Sequence, residues 1–112
     1  MIDIFGIPNC DKVKKALGIL QESNVSYLFV DFKKVSPTKE QILSWRKYLD
    51  DWPVNKRGTT FRKFKEKFEK ASDKEKVDII MKNSSMIPRP IVEKNGKILK
   101  IGFDEEFLRS LQ

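Results

Sequence analysis

The sequence predicts an α/β fold built on a mixed four-stranded sheet, and three observations support that prediction. Near the start, two apolar strand-like runs enclose a helical pattern, at residues 1–6, 27–32 and 10–22. Near the end, two further strand-like runs flank Asn95-Gly96, a strong short-range signal for a β-hairpin. The long segment between these regions is helical in pattern. A βαβ unit makes its strands parallel with a right-handed crossover, and the hairpin adds an antiparallel pair.

The helical segment contains start signals, a stop signal and one aromatic stripe. Ser36, followed by Pro37 and Glu40, indicates a helix start, and Pro53 must end that helix. A further helical stretch follows, in which phenylalanines recur at helical spacing in a stripe that we interpret as core packing, at Phe61, Phe64 and Phe68. Two later helices are predicted to begin at Ser72 and to span residues 104–111. The complete order is βαβ, a helical middle and ββα, which is a thioredoxin-like arrangement.

Length and composition limit the possible functions. The 112 residues predict one domain spanning 1–112. The net charge of +7 is spread over helix-like segments in which lysine alternates with glutamate, so we predict solvated helix faces and no direct nucleic-acid binding. The absence of histidine excludes Cys-His catalysis and argues against a metal site. No apolar run approaches the roughly 20 residues of a membrane span, and we expect a cytoplasmic protein.

The only cysteine, Cys10, lies where the first strand gives way to the first helix. The preceding turn, 6–9, exposes that position, and Asn9 is a plausible N-cap. A helix N-terminus lowers the pKa of a thiol, so Cys10 is a candidate nucleophile. The alternative is a buried cysteine that acts as a small apolar residue. Because the chain has one cysteine, disulfide chemistry must involve a second molecule.

Three segments together resemble one family: residues 6–16 around Asn9-Cys10-Asp11, residues 55–63, and residues 87–91. They are similar to the arsenate-reductase-like ArsC/Spx family, and most of all to its YffB-like members. The resemblance covers essentially the whole chain. It implies a thioredoxin-like fold with a helical insertion at about residues 36–85. It also implies that the Arg89–Pro90 peptide bond is cis, which an X–Pro bond permits.

The resemblance also implies roles for particular residues. Cys10 matches the nucleophile of family arsenate reductases, and Arg89 matches the oxyanion-binding arginine that precedes the cis proline. Arg57 lies near a second arginine position, and Asn55 is the alternative occupant of the aligned slot. A third arginine has no counterpart, because residues 101–103 read Ile-Gly-Phe, and we therefore expect arsenate reduction to be weak or absent. Val13 replaces the second cysteine of the Spx-type switch, so that switch is missing.

These observations predict a monothiol oxidoreductase. Cys10 would form a mixed disulfide that glutathione or another small thiol resolves, with no bound cofactor and the protein acting as a monomer. The predicted substrate-binding residues are Asn9, Lys14, Arg57, Arg89 and Pro90, with a backbone edge beside Pro90 pairing with an extended thiol peptide. We interpret Arg62 as a surface or structural residue. Two alternatives stay open: an Spx-like regulator that binds the C-terminal domain of the RNA polymerase alpha subunit, and a degenerate family member with another partner.

Overall fold

The computed structural model describes residues 1–111, which form four β-strands, five α-helices and one 3-10 turn. In chain order these are β1 (Ile2–Gly6), α1 (Asp11–Glu22), β2 (Tyr27–Asp31), α2 (Lys39–Leu49), α3 (Thr59–Lys70), α4 (Asp73–Lys82), the 3-10 turn (Ser84–Met86), β3 (Ile91–Lys94), β4 (Lys97–Ile101) and α5 (Glu105–Arg109). The chain divides into two compact units. The first unit contains Met1–Lys34 and the chain from Arg89 onward, and the second is Val35–Pro88.

The first unit contains the sheet, whose strand order is β2-β1-β3-β4. Strands β1 and β2 are parallel, whereas β3 is antiparallel to both β1 and β4. The hairpin turn has positive φ at both central residues, 52° at Asn95 and 80° at Gly96, as a type I′ turn requires. The predicted mixed four-stranded sheet of an α/β, thioredoxin-like fold is therefore confirmed.

The core of the first unit lies between one face of this sheet and helices α1 and α5. Helix α1 buries residues at helical spacing, including Ala16 and Leu20. They pack in one cluster with strand residues such as Ile4 and Val92 and with Leu108 of α5. Four residues separate the end of β1 from the start of α1, so the start of the helix follows closely on the end of the strand.

The second unit is built from α2, α3 and α4 around buried aromatic residues. Trp45 of α2 is fully buried, and the rings of Phe61 and Phe68 of α3 meet edge to face with centroids 5.6 Å apart. The Arg46 guanidinium stacks 3.9 Å from the centroid of the Trp52 ring, which itself meets Phe68. Phe61 and Phe68 thus confirm part of the predicted stripe.

Other details of the helices differ from the prediction. Phe64 is only half-buried, so it lies at the border of the core. Helix α2 is capped by Thr38 and not by Ser36, because Thr38 and Gln41 bond reciprocally in a capping box. The same helix ends at Leu49, before Pro53 is reached. Its C-cap residue is Asp50, which adopts the left-handed conformation with φ of 54°.

The two remaining helix predictions have mixed outcomes. Helix α4 begins after Ser72 as predicted, with a capping box formed by Ser72 and Glu75. Helix α5 is shorter than predicted, because Asp104 is its N-cap and its last helical residue is Arg109. None of the helices within residues 1–111 is long and apolar enough to cross a membrane.

Candidate active site around Cys10

Cys10 is itself the N-cap residue of α1, with the extended backbone angles φ −106° and ψ 126°. Its N–H donates to the carbonyl of Ile7 at 3.2 Å, which closes the turn after β1, and its carbonyl accepts from the N–H of Lys14 at 2.9 Å. The predicted cap, Asn9, lies one residue too early and is exposed. The prediction of Asn9 as the N-cap was therefore wrong, because the helix starts one residue later than that role requires.

The Cys10 thiol is free and half-buried. Burial on its own raises the pKa of the thiol, but the backbone N–H of Val13, the Arg89 side chain and the backbone N–H of Lys12 all stabilise the thiolate, and the net result is a lowered pKa. The sulfur makes no N-cap hydrogen bond of standard geometry. The stabilisation is thus the combined effect of two amides at the helix N-terminus and one guanidinium, the environment expected of a reactive cysteine.

The fold of the first unit explains why Arg89 reaches Cys10. Ile91, the first residue of β3, pairs with Phe5 near the end of β1, so Arg89 and Pro90 lie at the sheet end where the chain turns toward Cys10. The Arg89–Pro90 peptide bond is cis, in agreement with the family resemblance. The carbonyl of the buried Pro90 accepts from the N–H of Gly102 at 2.9 Å, so that oxygen is already engaged within the protein.

The other predicted binding residues lie on the protein surface. Lys14 is exposed on α1. Arg57 belongs to the second unit, where it is exposed in the turn before α3 and donates its backbone N–H to the Asn55 side-chain oxygen at 3.3 Å. Within the first unit the structure therefore brings Cys10 and Arg89 together. The roles of Asn9, Lys14 and Arg57 stay predictions.

The amides of Lys12 and Val13 agree with the prediction that a helix N-terminus lowers the pKa of the Cys10 thiol, since any helix presents its first N–H groups there. Reasoning from the sequence missed the contacts of Lys15, whose ammonium lies 5.4 Å from the centroid of the Phe103 ring and 3.6 Å from a carboxylate oxygen of Glu105. Lys15 is thus a cation beside residues 101–103, where the family resemblance predicts an arginine.

A four-stranded mixed sheet with a cysteine at the start of its first helix and a cis proline at the neighbouring strand places the protein among thioredoxin-like folds. Within that class the chain belongs to the ArsC family, whose family model matches residues 5–111. The predicted family is therefore confirmed.

Individual relatives agree with this assignment. A protein of Haemophilus influenzae that is named only as uncharacterized is 37% identical over 109 residues, which are 95% of this chain and 94% of that protein. The global transcriptional regulator Spx of Streptococcus mutans is 26% identical over 113 residues, which are 98% of this chain and 82% of the regulator. The solved structure of a YffB protein is 32% identical with a TM-score of 0.83, covering 99% of this chain and 98% of its own. This neighbour supports the predicted likeness to YffB-like members.

Proposed function

We propose that the protein is a thiol–disulfide oxidoreductase in which Cys10 is the nucleophile. The observation that supports this proposal is the lowered pKa of the Cys10 thiol, which burial opposes and the Val13 amide, Arg89 and the Lys12 amide produce. The thiolate is the species that attacks disulfides, so a lowered pKa increases the reactive fraction at neutral pH. With one cysteine in the chain, the second thiol has to come from another molecule.

The proposed reaction has two exchange steps. In the first, the Cys10 thiolate attacks one sulfur of a disulfide, a new S–S bond forms to Cys10, and the other sulfur leaves as a thiolate that takes a proton from solvent. In the second, the thiolate of a small thiol attacks the sulfur bonded to Cys10, and Cys10 leaves as a thiolate. The net reaction is a thiol–disulfide exchange: one sulfur of the original disulfide is released as a thiol, and the other sulfur ends in a disulfide with the small thiol, which has been oxidised in its place.

Glutathione is the small thiol that we propose. It carries two carboxylates, and the Arg89 guanidinium beside the sulfur is suited to bind one of them as a charge-assisted pair. Asn9, Lys14 and Arg57 are the further candidates for binding the extended tripeptide. Pro90 is the candidate that would line the site beside Arg89, and its carbonyl already accepts a hydrogen bond from the N–H of Gly102. No bound cofactor takes part, and the proposed working form is a monomer in a reducing compartment.

The experiment uses oxidised glutathione and follows the mixed disulfide at Cys10 by intact-protein mass spectrometry. We expect wild type to be modified and Cys10→Ser to stay unmodified. Arg89→Ala should slow the reaction by roughly tenfold or more, because a hydrogen bond to a charged group contributes about 1.5–3 kcal/mol.

Arg62→Ala is the matched control, because Arg62 is an exposed arginine of the second unit, and it should react like wild type. Equal rates in wild type, Arg89→Ala and Arg62→Ala would show that the site is not built for glutathione. We further expect little turnover of arsenate, since Ile101, Gly102 and Phe103 supply no guanidinium for an oxyanion.

A second candidate function is regulatory, and it is favoured by the Spx relatives, which align with almost the whole chain. We propose that the protein in this role binds the C-terminal domain of the RNA polymerase alpha subunit. Titration calorimetry with that isolated domain should then detect a complex of micromolar affinity or tighter. Cys10→Ser should bind equally well, because Val13 leaves no partner for a Cys-x-x-Cys switch. No detectable binding by wild type would remove this candidate.

A further inference from the structure

Gly6 packs against Val13, and there is no space between them for another atom. A Cβ at Gly6 would lie 2.7 Å from one γ-methyl of Val13 and 3.4 Å from the other. Carbon atoms in ordinary contact lie about 3.5–4.0 Å apart, so the shorter distance is a clash. Gly6 is the last residue of the extended strand β1 and is not among the positive-φ glycines. Its backbone therefore suits alanine, and the requirement for glycine comes from Val13.

Val13 has little freedom to move away from a larger residue. Its side chain is fully buried, and a β-branched side chain in a helix is restricted largely to one χ1 rotamer. A side chain at position 6 would therefore displace the first turn of α1 and not only a methyl group. That turn carries the Val13 N–H, which is foremost among the groups that stabilise the Cys10 thiolate.

We propose that Gly6 is a positioning residue for the Cys10 nucleophile, because its missing side chain lets α1 approach β1 until the Val13 amide faces the sulfur. The inference rests on the proposed function, since it concerns the same nucleophile. Gly6 acts through Val13 and need not touch any substrate. A purely structural glycine would affect stability, whereas a positioning glycine also changes the ionisation of Cys10.

The test is the pH profile of Cys10 alkylation by iodoacetamide, which reports on this thiol alone because it is the only cysteine. We expect Gly6→Ala to be alkylated roughly threefold or more slowly than wild type at pH 6, since a full hydrogen bond to a charged group is worth about tenfold or more. At a pH where the thiol is fully ionised, the two rates should converge. Gly18→Ala is the matched control, because a Cβ at that position of α1 meets nothing within 4 Å.

A second pair of variants tests the route through Val13. Val13→Ala removes both γ-methyls, so the Gly6→Ala change should have no further effect in that background. We expect Val13→Ala and the Gly6→Ala/Val13→Ala double variant to give the same alkylation profile. The double variant also keeps the inference open to contradiction when Gly6→Ala alone does not fold, because slower alkylation than Val13→Ala would show an effect of position 6 that does not pass through the γ-methyls of Val13.

Two results would overturn the inference: a Gly6→Ala profile equal to that of wild type, or a double variant still alkylated more slowly than Val13→Ala. Failure of the proposed function gives a different pattern. In that case wild type would not exchange with oxidised glutathione, whereas the alkylation profile, which involves no disulfide, would still respond to Gly6→Ala.

Discussion

The two units of the chain both have buried cores, but they offer different chemistry. In the first unit the reactive group is placed by main-chain features, namely the end of β1, the start of α1 and the amides of Lys12 and Val13. In the second unit, order depends on side chains, with Trp45 buried and Arg46 stacked on Trp52. The comparison indicates that the lysine-rich helical insertion depends for its order on buried aromatic packing and on a cation stacked on a ring, and less on its exposed ion pairs.

Ion pairs of the second unit illustrate this point. The Lys70–Glu66 pair at 3.0 Å and the Lys56–Asp51 pair at 2.9 Å are both exposed to solvent. Exposed pairs typically contribute only about 0–1 kcal/mol. The aromatic core and the two capping boxes are therefore the features to change when the stability of this unit is tested.

The largest expected effect is that of removing the aromatic core residue of α2. Trp45→Ala should lower the free energy of unfolding by about 3–5 kcal/mol, because it deletes a fully buried ring and leaves a cavity. Urea unfolding followed by circular dichroism measures this loss. Leu43→Ala is the control on the same helix, since Leu43 is 38% exposed and should cost far less. Similar losses for the two variants would show that the buried ring is not what stabilises this unit.

Under conditions where the Trp45→Ala variant is folded, its Cys10 should show the same alkylation profile as that of wild type. Within residues 1–111, the groups that stabilise the thiolate, at Val13, Arg89 and Lys12, all belong to the first unit. A changed profile would mean that the reactivity of Cys10 also depends on the second unit.

A smaller effect is expected at the start of α2. Thr38→Ala should cost about 0.5–2 kcal/mol, because it removes the side chain that accepts from the Gln41 N–H at 3.1 Å. Ser36→Ala should stay within about 0.5 kcal/mol of wild type, since Ser36 is exposed and lies two residues before the cap. Thermal unfolding of the two variants compares them directly. A larger loss for Ser36→Ala than for Thr38→Ala would indicate that the helix begins at Ser36.

The smallest effect concerns the first unit and the pH dependence of its stability. The pKa of the Cys10 thiol is lower in the folded protein than its usual value, because the Val13 amide, Arg89 and the Lys12 amide outweigh burial. Between those two pKa values the unfolded chain binds more protons, so stability should rise with pH there and the gain should be lost as pH falls. Urea unfolding of wild type and Cys10→Ala over a pH series, in reducing agent, measures this. A difference between them that does not vary with pH would contradict the prediction.

Much of the fold could be predicted because its signals are local. Asn95-Gly96 specifies a hairpin turn, and Ser72 with Glu75 specifies a helix start, without reference to the rest of the chain. The start of α2 was misplaced because Ser36 and Thr38 both fit a capping pattern, and only the bonds with Gln41 distinguish them. The half-buried state of Phe64 also depends on the packing of α3, which spacing alone does not give.

The site was predictable to a similar extent. The position of Cys10 between strand and helix follows from the pattern, whereas the approach of Arg89 depends on the pairing of β3 with β1. The cis state of the Arg89–Pro90 bond came from family resemblance, because an X–Pro bond alone permits both isomers. The role proposed for Gly6 depends on a contact with Val13 that becomes visible only when strand and helix are placed together.

Stabilisation by the main chain has a consequence for how this sequence can diverge. An amide is supplied by every amino acid except proline, so the side chain of Lys12 can change without removing the donor at that position. The exposed neighbours Asp11 and Lys14 are similarly open to replacement. The side chains at these three positions can therefore change to suit a new partner while Cys10 keeps its reactivity. Lys12→Pro is the exception, because proline has no N–H to donate to the thiolate.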